Sequence, residues 1–297
     1  MPVVCQAVDK NTLQTTLKNG FSFSGRALHS GKSVDIRCIP SCPDTGIVFK
    51  RTDLINTPVI PACPANIVST LRSTRIGTDN GKVSVNAVEH ILAAFAITGL
   101  DNVLVEIDGD ELPAADGSAL PFAGLVIKSG IRQLDRPAGA KKIKAPMFAR
   151  EKDAILAVIP FDGLRFSYTL SYEHPHVGTQ YGDYIFDNEL FMKEIAPART
   201  FGFATEVERL HSMGLALGGA PDNAVLFAAD GPLDRLRFRD EPLRHKILDI
   251  TGDLFMAGRL QGHFIGIKSG HSLNASLSRM IFSQYGSDYK AGNRGCI

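Results

Sequence analysis

The amino-acid sequence predicts an α+β protein divided into two domains. Strand-like and helix-like stretches occur in separate runs, which favours α+β layers over a parallel sheet built from βαβ units. The length of 297 residues suits two domains of roughly 150 residues each. Both halves also repeat one order, in which strands precede a histidine-bearing helix and a further strand follows it.

Composition and charge exclude several classes of protein. Lys and Arg total 32 and Asp and Glu total 31, so the net charge of +1 provides no general attraction to nucleic acid or anionic lipid. No apolar run approaches the ~20 residues that a bilayer span requires. The N-terminus lacks a basic segment followed by an apolar one, so we expect no secretory signal and a cytoplasmic protein.

The cysteines predict neither a disulfide framework nor a zinc ribbon. Five of them are scattered over a long chain without a CxxC pair, which indicates reduced thiols. Two of the five lie four residues apart, but a strand pattern and a proline argue against a zinc site there. The cysteines are Cys5, Cys38, Cys42, Cys63 and Cys296.

The first half begins with β-strand signals and then contains a helix. Asn19-Gly20 is a strong hairpin signal because both residues tolerate a positive φ, and it predicts pairing of the flanking strands. In the helix, Asn86 and Glu89 have the spacing of a capping box, and Gly99 is placed to end it. The expected elements are strands at 15–17, 21–23, 34–38 and 103–107 and a helix at 86–98.

The second half restarts the pattern after a change in composition. Prolines, glycine and lysines replace periodic apolar residues at 135–146, which predicts a linker between domains at 1–134 and 147–297. Asp162-Gly163 predicts a second hairpin, and Pro242 and Gly258 suit the ends of a helix. The expected elements are strands at 154–159, 164–170 and 264–267, helices at 205–215 and 242–257, and an amphipathic element at 272–283.

The helix at 242–257 carries a polar stripe with metal-ligand spacing. His245, Asp249 and Asp253 are successive i, i+4 neighbours and lie away from the apolar stripe. A His and an Asp one turn apart can reach the same cation. A solvated helix face with structural ion pairs is the alternative, although the stripe is poor in flexible Lys and Glu.

The helix at 86–98 supplies a second pair of ionisable residues. Glu89 and His90 lie in an otherwise small and apolar run, where burial without partners costs several kcal/mol. A buried salt bridge is one explanation of the pair. The other is metal binding by His90 together with His245 and Asp249, which gives two His, one Asp and an open position, the formula of a catalytic zinc.

Other polar residues are less specific. His271 lies on a glycine-flanked turn after a buried strand and suits an acid–base group, although a surface-loop histidine is the alternative. Residues 199–203 place a threonine and two phenylalanines beside a glycine, which indicates either core packing or a ligand contact. The role of His29 is open, and His174 and His176 flank Pro175 in a predicted loop.

Seven ordered motifs cover nearly the whole chain: VEH at 88–90, LDN at 100–102, DGSALPF at 116–122, ARTFGF at 198–203, LGG at 217–219, RHKILDITGDLF at 244–255 and KSGHSLN at 268–274. This set resembles the UDP-3-O-acyl-N-acetylglucosamine deacetylase family, zinc amidases that catalyse the committed step of lipid A synthesis in Gram-negative bacteria. The resemblance implies two domains of similar two-layer α/β sandwich topology, with the active site at their interface.

The resemblance also implies a role for each matching residue. One zinc ion per chain, for which Fe²⁺ can substitute, is expected on His90, His245 and Asp249. The expected catalytic residues are Glu89 as general base, His271 as general acid or electrostatic partner, Asp253 as its orienting partner, Thr200 at the oxyanion, and Lys246. The expected substrate contacts are Phe201, Phe203 and Lys268 near the sugar and nucleotide, and Leu28, Val207, Ala216 and Gly219 along the acyl passage. Ala216 stands where some relatives have cysteine.

Two alternatives to a deacetylase remain. Two His and one Asp also form the facial triad of non-haem iron oxygenases, whose ligands usually lie on barrel strands. The second alternative is a nucleotide-sugar binder without catalytic activity. The expected partner is UDP-3-O-acyl-N-acetylglucosamine, bound by a monomer that contacts the inner membrane transiently and binds no nucleic acid.

Overall fold

A computed structural model of the chain describes residues 12–286. Its helices and mixed sheets confirm the predicted α+β class. Cys38 and Cys63 are buried thiols, and Cys5 and Cys296 lie outside the described residues. Within the described part of the chain, no helix has the length and apolar character needed to cross a bilayer.

The elements fall into two similar runs along the sequence. The helices are α1 (Glu89–Thr98), α2 (Leu120–Ser129), α3 (Asn188–Glu194), α4 (Val207–Ser212), α5 (Glu241–Phe255) and α6 (His271–Tyr285). The strands are β1 (Leu13–Leu17), β2 (Phe21–Arg26), β3 (Ser33–Pro40), β4 (Ile47–Arg51), β5 (Ile60–Pro61), β6 (Ile67–Ser69), β7 (Arg75–Thr78), β8 (Val83–Val85), β9 (Val103–Ile107), β10 (Ile131–Pro137), β11 (Lys141–Lys142), β12 (Met147–Glu151), β13 (Ala154–Ile159), β14 (Leu164–Ser171), β15 (Thr179–Ile185), β16 (Phe201–Phe203), β17 (Val225–Ala228), β18 (Gly231–Pro232) and β19 (Leu260–Ile267).

Two large sheets have the same strand topology. The first has the order β2-β3-β9-β4-β5, and the second has the order β12-β13-β19-β14-β15, with β11 added beside β19. In each, the strand that follows the buried helix lies in the centre, antiparallel to one neighbour and parallel to the other. The repeated order of elements in the sequence therefore corresponds to a repeated arrangement of strands.

Both predicted hairpins are wrong in their pairing, although their strands exist. β1 pairs with β10 and β2 with β3, while β19 lies between β13 and β14. A turn signal fixes only the local chain reversal, and a distant strand can then take the partner's place. β1 is also held elsewhere, because Thr16 Oγ1 donates a hydrogen bond to the Asn102 carbonyl.

The predicted helix boundaries agree with the structure to within two residues except for α1 and α4. α1 begins at Glu89 without a side-chain cap, so the predicted capping box is wrong. Asn86 Oδ1 instead accepts a hydrogen bond from Ser73 Oγ, and Gly99 ends α1 in the left-handed conformation, as predicted. The helix expected at 205–215 is shorter: a 3₁₀ turn at 204–206 leads into α4. The amphipathic element at 272–283 is α6.

Helices from the two halves of the chain pack against each other. α1 contacts α5, while α2 packs on β2 and α6 on β12 and β13. The contact between α1 and α5 depends on Gly252, where an added Cβ atom would lie 2.0 Å from the Glu89 carbonyl oxygen. This approach brings the first turn of α1 beside the middle of α5.

The residues at 135–146 include the end of β10 and all of β11. β10 pairs with β1 from the start of the described chain, and β11 runs parallel to β19. Both strands therefore tie this stretch to the neighbouring sheets. The division into domains at 1–134 and 147–297 stays a prediction.

We expect Gly252→Ala to destabilise the protein by about 1–3 kcal/mol, because the new methyl group forces α1 and α5 apart. Gly124→Ala is the matched control, since Gly124 lies within α2 with no atom within 4 Å of the added Cβ. There, loss of glycine flexibility stabilises the helix by about 0.5–1 kcal/mol. Urea unfolding measures both values, and a Gly252→Ala variant as stable as the parent protein contradicts the packing described here.

Candidate active site

A cavity of about 580 Å³ opens beside the first turn of α1, where this turn meets α5. Both halves of the chain contribute to its wall, which contains most of the predicted site residues. Those on the wall are Leu28, Glu89, His90, Thr200, Phe201, Phe203, His245, Lys246, Asp249 and His271. The structure thus brings together side chains that are far apart in sequence.

Three side chains converge as the sequence predicted for a metal centre. His90 Nε2 lies 3.8 Å from Asp249 Oδ1, and His245 Nε2 lies 3.3 Å from the same oxygen. One ligand atom from each residue lies within 4.8 Å of the others. The two imidazole rings are perpendicular, with centroids 5.0 Å apart, so both can direct a nitrogen at one point.

The protonation of these groups suits a divalent cation. His245 Nδ1 donates a hydrogen bond to the Ala198 carbonyl, which leaves the lone pair of Nε2 facing Asp249. Burial lowers the pKa of both His90 and His245, whereas His245 and Lys246 together outweigh burial and hold the pKa of Asp249 below its usual range. Two neutral imidazoles and an ionised carboxylate are the expected donors.

One carboxylate oxygen of Asp249 also suits a metal ion. Its Oδ1 is buried and has no hydrogen-bond partner among the described residues, while its Oδ2 accepts a hydrogen bond from Lys246 Nζ at 2.8 Å. A buried acceptor without a partner is costly. The atom lies where both histidine nitrogens converge, so the donor set fits a metal ion.

Glu89 adjoins this group from the first residue of α1. Its Oε2 accepts a hydrogen bond from the Thr74 backbone N–H at 2.9 Å, and its Oε1 lies 4.0 Å from His271 Nε2. Burial raises the pKa of Glu89 well above its usual range. The carboxylate therefore has a high affinity for a proton and lies on the cavity wall, as a general base requires.

His271 faces Glu89 from the first residue of α6 rather than from a turn. Its Nδ1 donates a hydrogen bond to Asp253 Oδ2 at 2.9 Å, and Asn274 Nδ2 donates to the same oxygen. Burial disfavours the charged imidazole, but Asp253 and Asp249 outweigh burial and raise the pKa of His271 to about 9. Asp253 lies behind His271, buried and away from the cavity wall.

Thr200 lines the cavity next to a point where the backbone at Gly117 closely approaches that of residue 223. Its N–H donates to the Gly117 carbonyl at 2.8 Å. Gly117 has a φ of +82°, and a Cβ atom there would lie 2.1 Å from the Asn223 carbonyl oxygen. The glycine of the DGSALPF motif thus lets its own loop pack against residue 223 while its carbonyl holds the backbone of Thr200.

An aromatic wall lies next to the polar centre. The rings of Phe201 and Phe203 from β16 both contact Tyr172, with centroids 5.7 and 5.2 Å apart, and Phe203 contacts His174. Lys246 Nζ lies 5.7 Å from the centroid of Phe201. His174 lies in a loop as predicted, but no sequence pattern indicated that it and Tyr172 line the cavity.

Several predicted residues lie outside this wall. The exposed Lys268 pairs with Asp153 at 2.7 Å. Val207 is the first residue of α4, next to Glu206, which does line the cavity. Ala216 donates its N–H to His29 Nδ1 at 3.4 Å, and Gly219 donates to the Ala216 carbonyl.

The structure gives the positions of two residues whose roles the sequence left open. Arg199 is buried and paired with Glu241 at 2.8 Å, so it supports the core beside the site. His29 is buried, lines the cavity, and has an Nε2 atom without a hydrogen-bond partner among residues 12–286. No sequence signal singled out Thr74, because this residue belongs to no periodic pattern.

Comparison with known proteins places the chain beside one enzyme family. The family model described as UDP-3-O-acyl N-acetylglycosamine deacetylase matches residues 14–283. A UDP-3-O-acyl-N-acetylglucosamine deacetylase of Geobacter sp. (strain M21) is 43% identical over 267 residues, 89% of this chain and 87% of the relative. One from Acidithiobacillus ferrooxidans is 43% identical over 273 residues, 90% of this chain and 89% of the relative.

We expect Asp253→Asn to lower the pKa of His271 from about 9 toward or below its ordinary value of 6.5. Without the carboxylate charge, burial becomes the dominant influence and disfavours the imidazolium. An NMR titration of the histidine ring measures the change. Asp153→Asn is the control, because it removes an exposed carboxylate that contacts Lys268 instead. An unchanged His271 pKa in Asp253→Asn contradicts the assignment.

Proposed function

The chain belongs to the UDP-3-O-acyl N-acetylglycosamine deacetylase family, and from that membership we propose that it hydrolyses the N-acetyl group of UDP-3-O-acyl-N-acetylglucosamine. The products are acetate and the free amine, and the reaction is the committed step of lipid A synthesis. One observation carries the proposal: Glu89, His271 and the group of His90, His245 and Asp249, which could hold a metal ion, share the wall of one cavity.

We propose zinc as the metal and His90, His245 and Asp249 as its ligands, with Fe²⁺ as a possible substitute. The orphaned Oδ1 of Asp249 and the two inward-facing imidazoles support this assignment. When bound, zinc supplies Lewis-acid polarisation of an amide carbonyl and lowers the pKa of a coordinated water to about 7.

Glu89 acts as the general base in this proposal. As water attacks the acetyl carbonyl carbon, one water proton passes to the Glu89 carboxylate. The raised pKa of this carboxylate favours acceptance of the proton. The Thr200 hydroxyl donates a hydrogen bond to the developing oxyanion, an interaction worth about 3–4 kcal/mol in comparable sites. Both side chains lie on the cavity wall.

His271 completes the reaction as the general acid. Its Nε2 faces the cavity and gives a proton to the departing nitrogen as the carbon–nitrogen bond breaks. Asp253 keeps the ring oriented through Nδ1 and favours the protonated form that an acid requires. Lys246 stabilises the Asp249 carboxylate through their ion pair and adds positive charge beside the sugar.

Substrate positions are assigned by the same family membership. The aromatic wall of Phe201 and Phe203 suits the sugar and nucleotide, and Lys268 is proposed to approach them from the rim. We assign the acyl passage to Leu28, Val207, Ala216 and Gly219, with Ala216 affecting its width. Because the substrate carries a fatty chain, we propose a cytoplasmic monomer that contacts the inner membrane transiently.

The ligand geometry favours a hydrolase over the oxygenase alternative. All three ligands lie on helices, whereas facial-triad oxygenases usually carry them on barrel strands. A base at the position of Glu89 also has a direct use in hydrolysis. The combination of base and acid argues against a binder without activity.

Acetate release from UDP-3-O-acyl-N-acetylglucosamine tests the proposal. We expect a chelator to abolish release by the parent protein and added zinc to restore it. His245→Ala removes one of three ligands, so we expect it to bind zinc much more weakly and to lose activity. His271→Ala should keep about the parent metal content while kcat falls about 100- to 10,000-fold, the range typical of a lost acid or base.

Three outcomes would overturn parts of this proposal. Parent protein that binds the substrate but releases no acetate is a binder and not a deacetylase. Chelator-resistant activity removes the metal from the mechanism. Loss of zinc from His271→Ala would make His271 a ligand rather than the acid.

A further inference from the structure

We propose that Thr74 is a positioning residue that holds the base Glu89 and the acid pair His271–Asp253 in one fixed arrangement. This inference rests on the proposed deacetylase function, because it assigns a role within that reaction. Thr74 is fully buried, lies immediately before β7, and does not line the cavity. It therefore acts through the side chains that it contacts and not on the substrate.

The backbone of Thr74 is fixed to the beginning of α1. Its N–H donates to Glu89 Oε2 at 2.9 Å, and its carbonyl accepts from the Val88 N–H at 3.2 Å. The preceding Ser73 donates its hydroxyl to Asn86 Oδ1 at 2.9 Å. These contacts hold one carboxylate oxygen of Glu89 in place. The other oxygen, Oε1, faces His271 Nε2.

The hydroxyl of Thr74 makes the connection to the acid. Its Oγ1 lies 2.6 Å from Asp253 Oδ1 and 3.3 Å from His271 Nδ1. An ionised carboxylate only accepts hydrogen bonds, so the threonine must donate its proton to Asp253. Oγ1 can then only accept from His271, and the Nδ1 proton has acceptors at both Oγ1 and Asp253 Oδ2.

This pattern fixes where His271 exchanges its proton. Because every neighbour of Nδ1 in the pattern accepts a hydrogen bond, Nδ1 keeps its proton throughout. Nε2, which faces Glu89 and the cavity, is then the nitrogen that gives up a proton. Without the hydroxyl, Asp253 Oδ1 loses its threonine donor, and Asp253 and the imidazole ring can reorient together.

Steady-state kinetics of acetate release, with zinc content and melting temperature measured for each variant, tests the role of the hydroxyl. Thr74→Val keeps the shape of the side chain and should lower kcat about 10- to 100-fold, at or below the lower end of the range of about 100- to 10,000-fold expected when the acid or base itself is removed. KM and zinc content should stay near the parent values, because Thr74 touches neither the cavity nor a metal ligand. Thr74→Ser keeps the hydroxyl and should restore most of the rate.

Thr78→Val is the matched control. Thr78 lies on the adjoining β7, and its buried Oγ1 has no hydrogen-bond partner within the described chain. Its replacement should leave kcat unchanged. If Thr74→Val does not fold, a comparison of Thr74→Ala with Thr74→Ser still separates loss of the hydroxyl from loss of the methyl group.

A double variant separates positioning from a merely structural effect. In an Asp253→Asn background, we expect Thr74→Val to lower kcat by no more than about twofold further, because the contact through which it acts has already changed. Equal losses in both backgrounds, or a Thr74→Val variant with the parent kcat, would overturn the inference. Parent protein that releases no acetate would instead remove the proposed function itself.

Discussion

The close contact between α1 and α5 is the constraint on which the site depends. Gly252 allows the Glu89 carbonyl to approach the middle of α5, where a side chain of any size would prevent it. Because Glu89 and His90 occupy the first turn of α1, this approach sets their distance from His245 and Asp249. One glycine thus determines whether residues from the two halves of the chain meet.

Burying so many ionisable groups at one contact requires each to have a partner. Isolated charges in an apolar interior are costly, and opposite charges and directed hydrogen bonds stabilise these buried groups. Lys246 pairs with Asp249, His271 with Asp253, and the Thr74 N–H with Glu89. One exception among the residues of this contact is Asp249 Oδ1, which lacks a hydrogen-bond partner within residues 12–286 and lies where both histidines point. That exception is the physical basis for a metal ion here.

The sequence predicted those parts of the fold that follow from local periodicity. Both buried helices and their polar residues follow from the 3.6-residue repeat, and β3 and β9 follow from alternation. Local periodicity did not predict the strand pairing, because β9 and β19 enter the centres of their sheets from far along the chain. α2 was not predicted, since Gly124 and the β-branched Val126 and Ile127 weaken its helical signal.

The same distinction applies to the site. The i, i+4 spacing of His245 and Asp249 was visible in the sequence, whereas their meeting with His90 depended on tertiary packing. Thr74 could not be found from the sequence, because its partners lie 15, 179 and 197 residues further along the chain. Tyr172 was missed for a similar reason, since only the folded chain brings it against β16.

X-ray absorption spectroscopy of the zinc-loaded protein tests the central claim most directly, namely that residues from both halves of the chain bind one cation. The account predicts one zinc ion per chain whose nearest neighbours are nitrogen and oxygen at about 2.0–2.2 Å, with scattering from two imidazole rings. Replacement of either His90 or His245 by alanine should remove one ring from the spectrum. A sulfur neighbour near about 2.3 Å, or a spectrum that keeps both rings in each variant, would contradict the account.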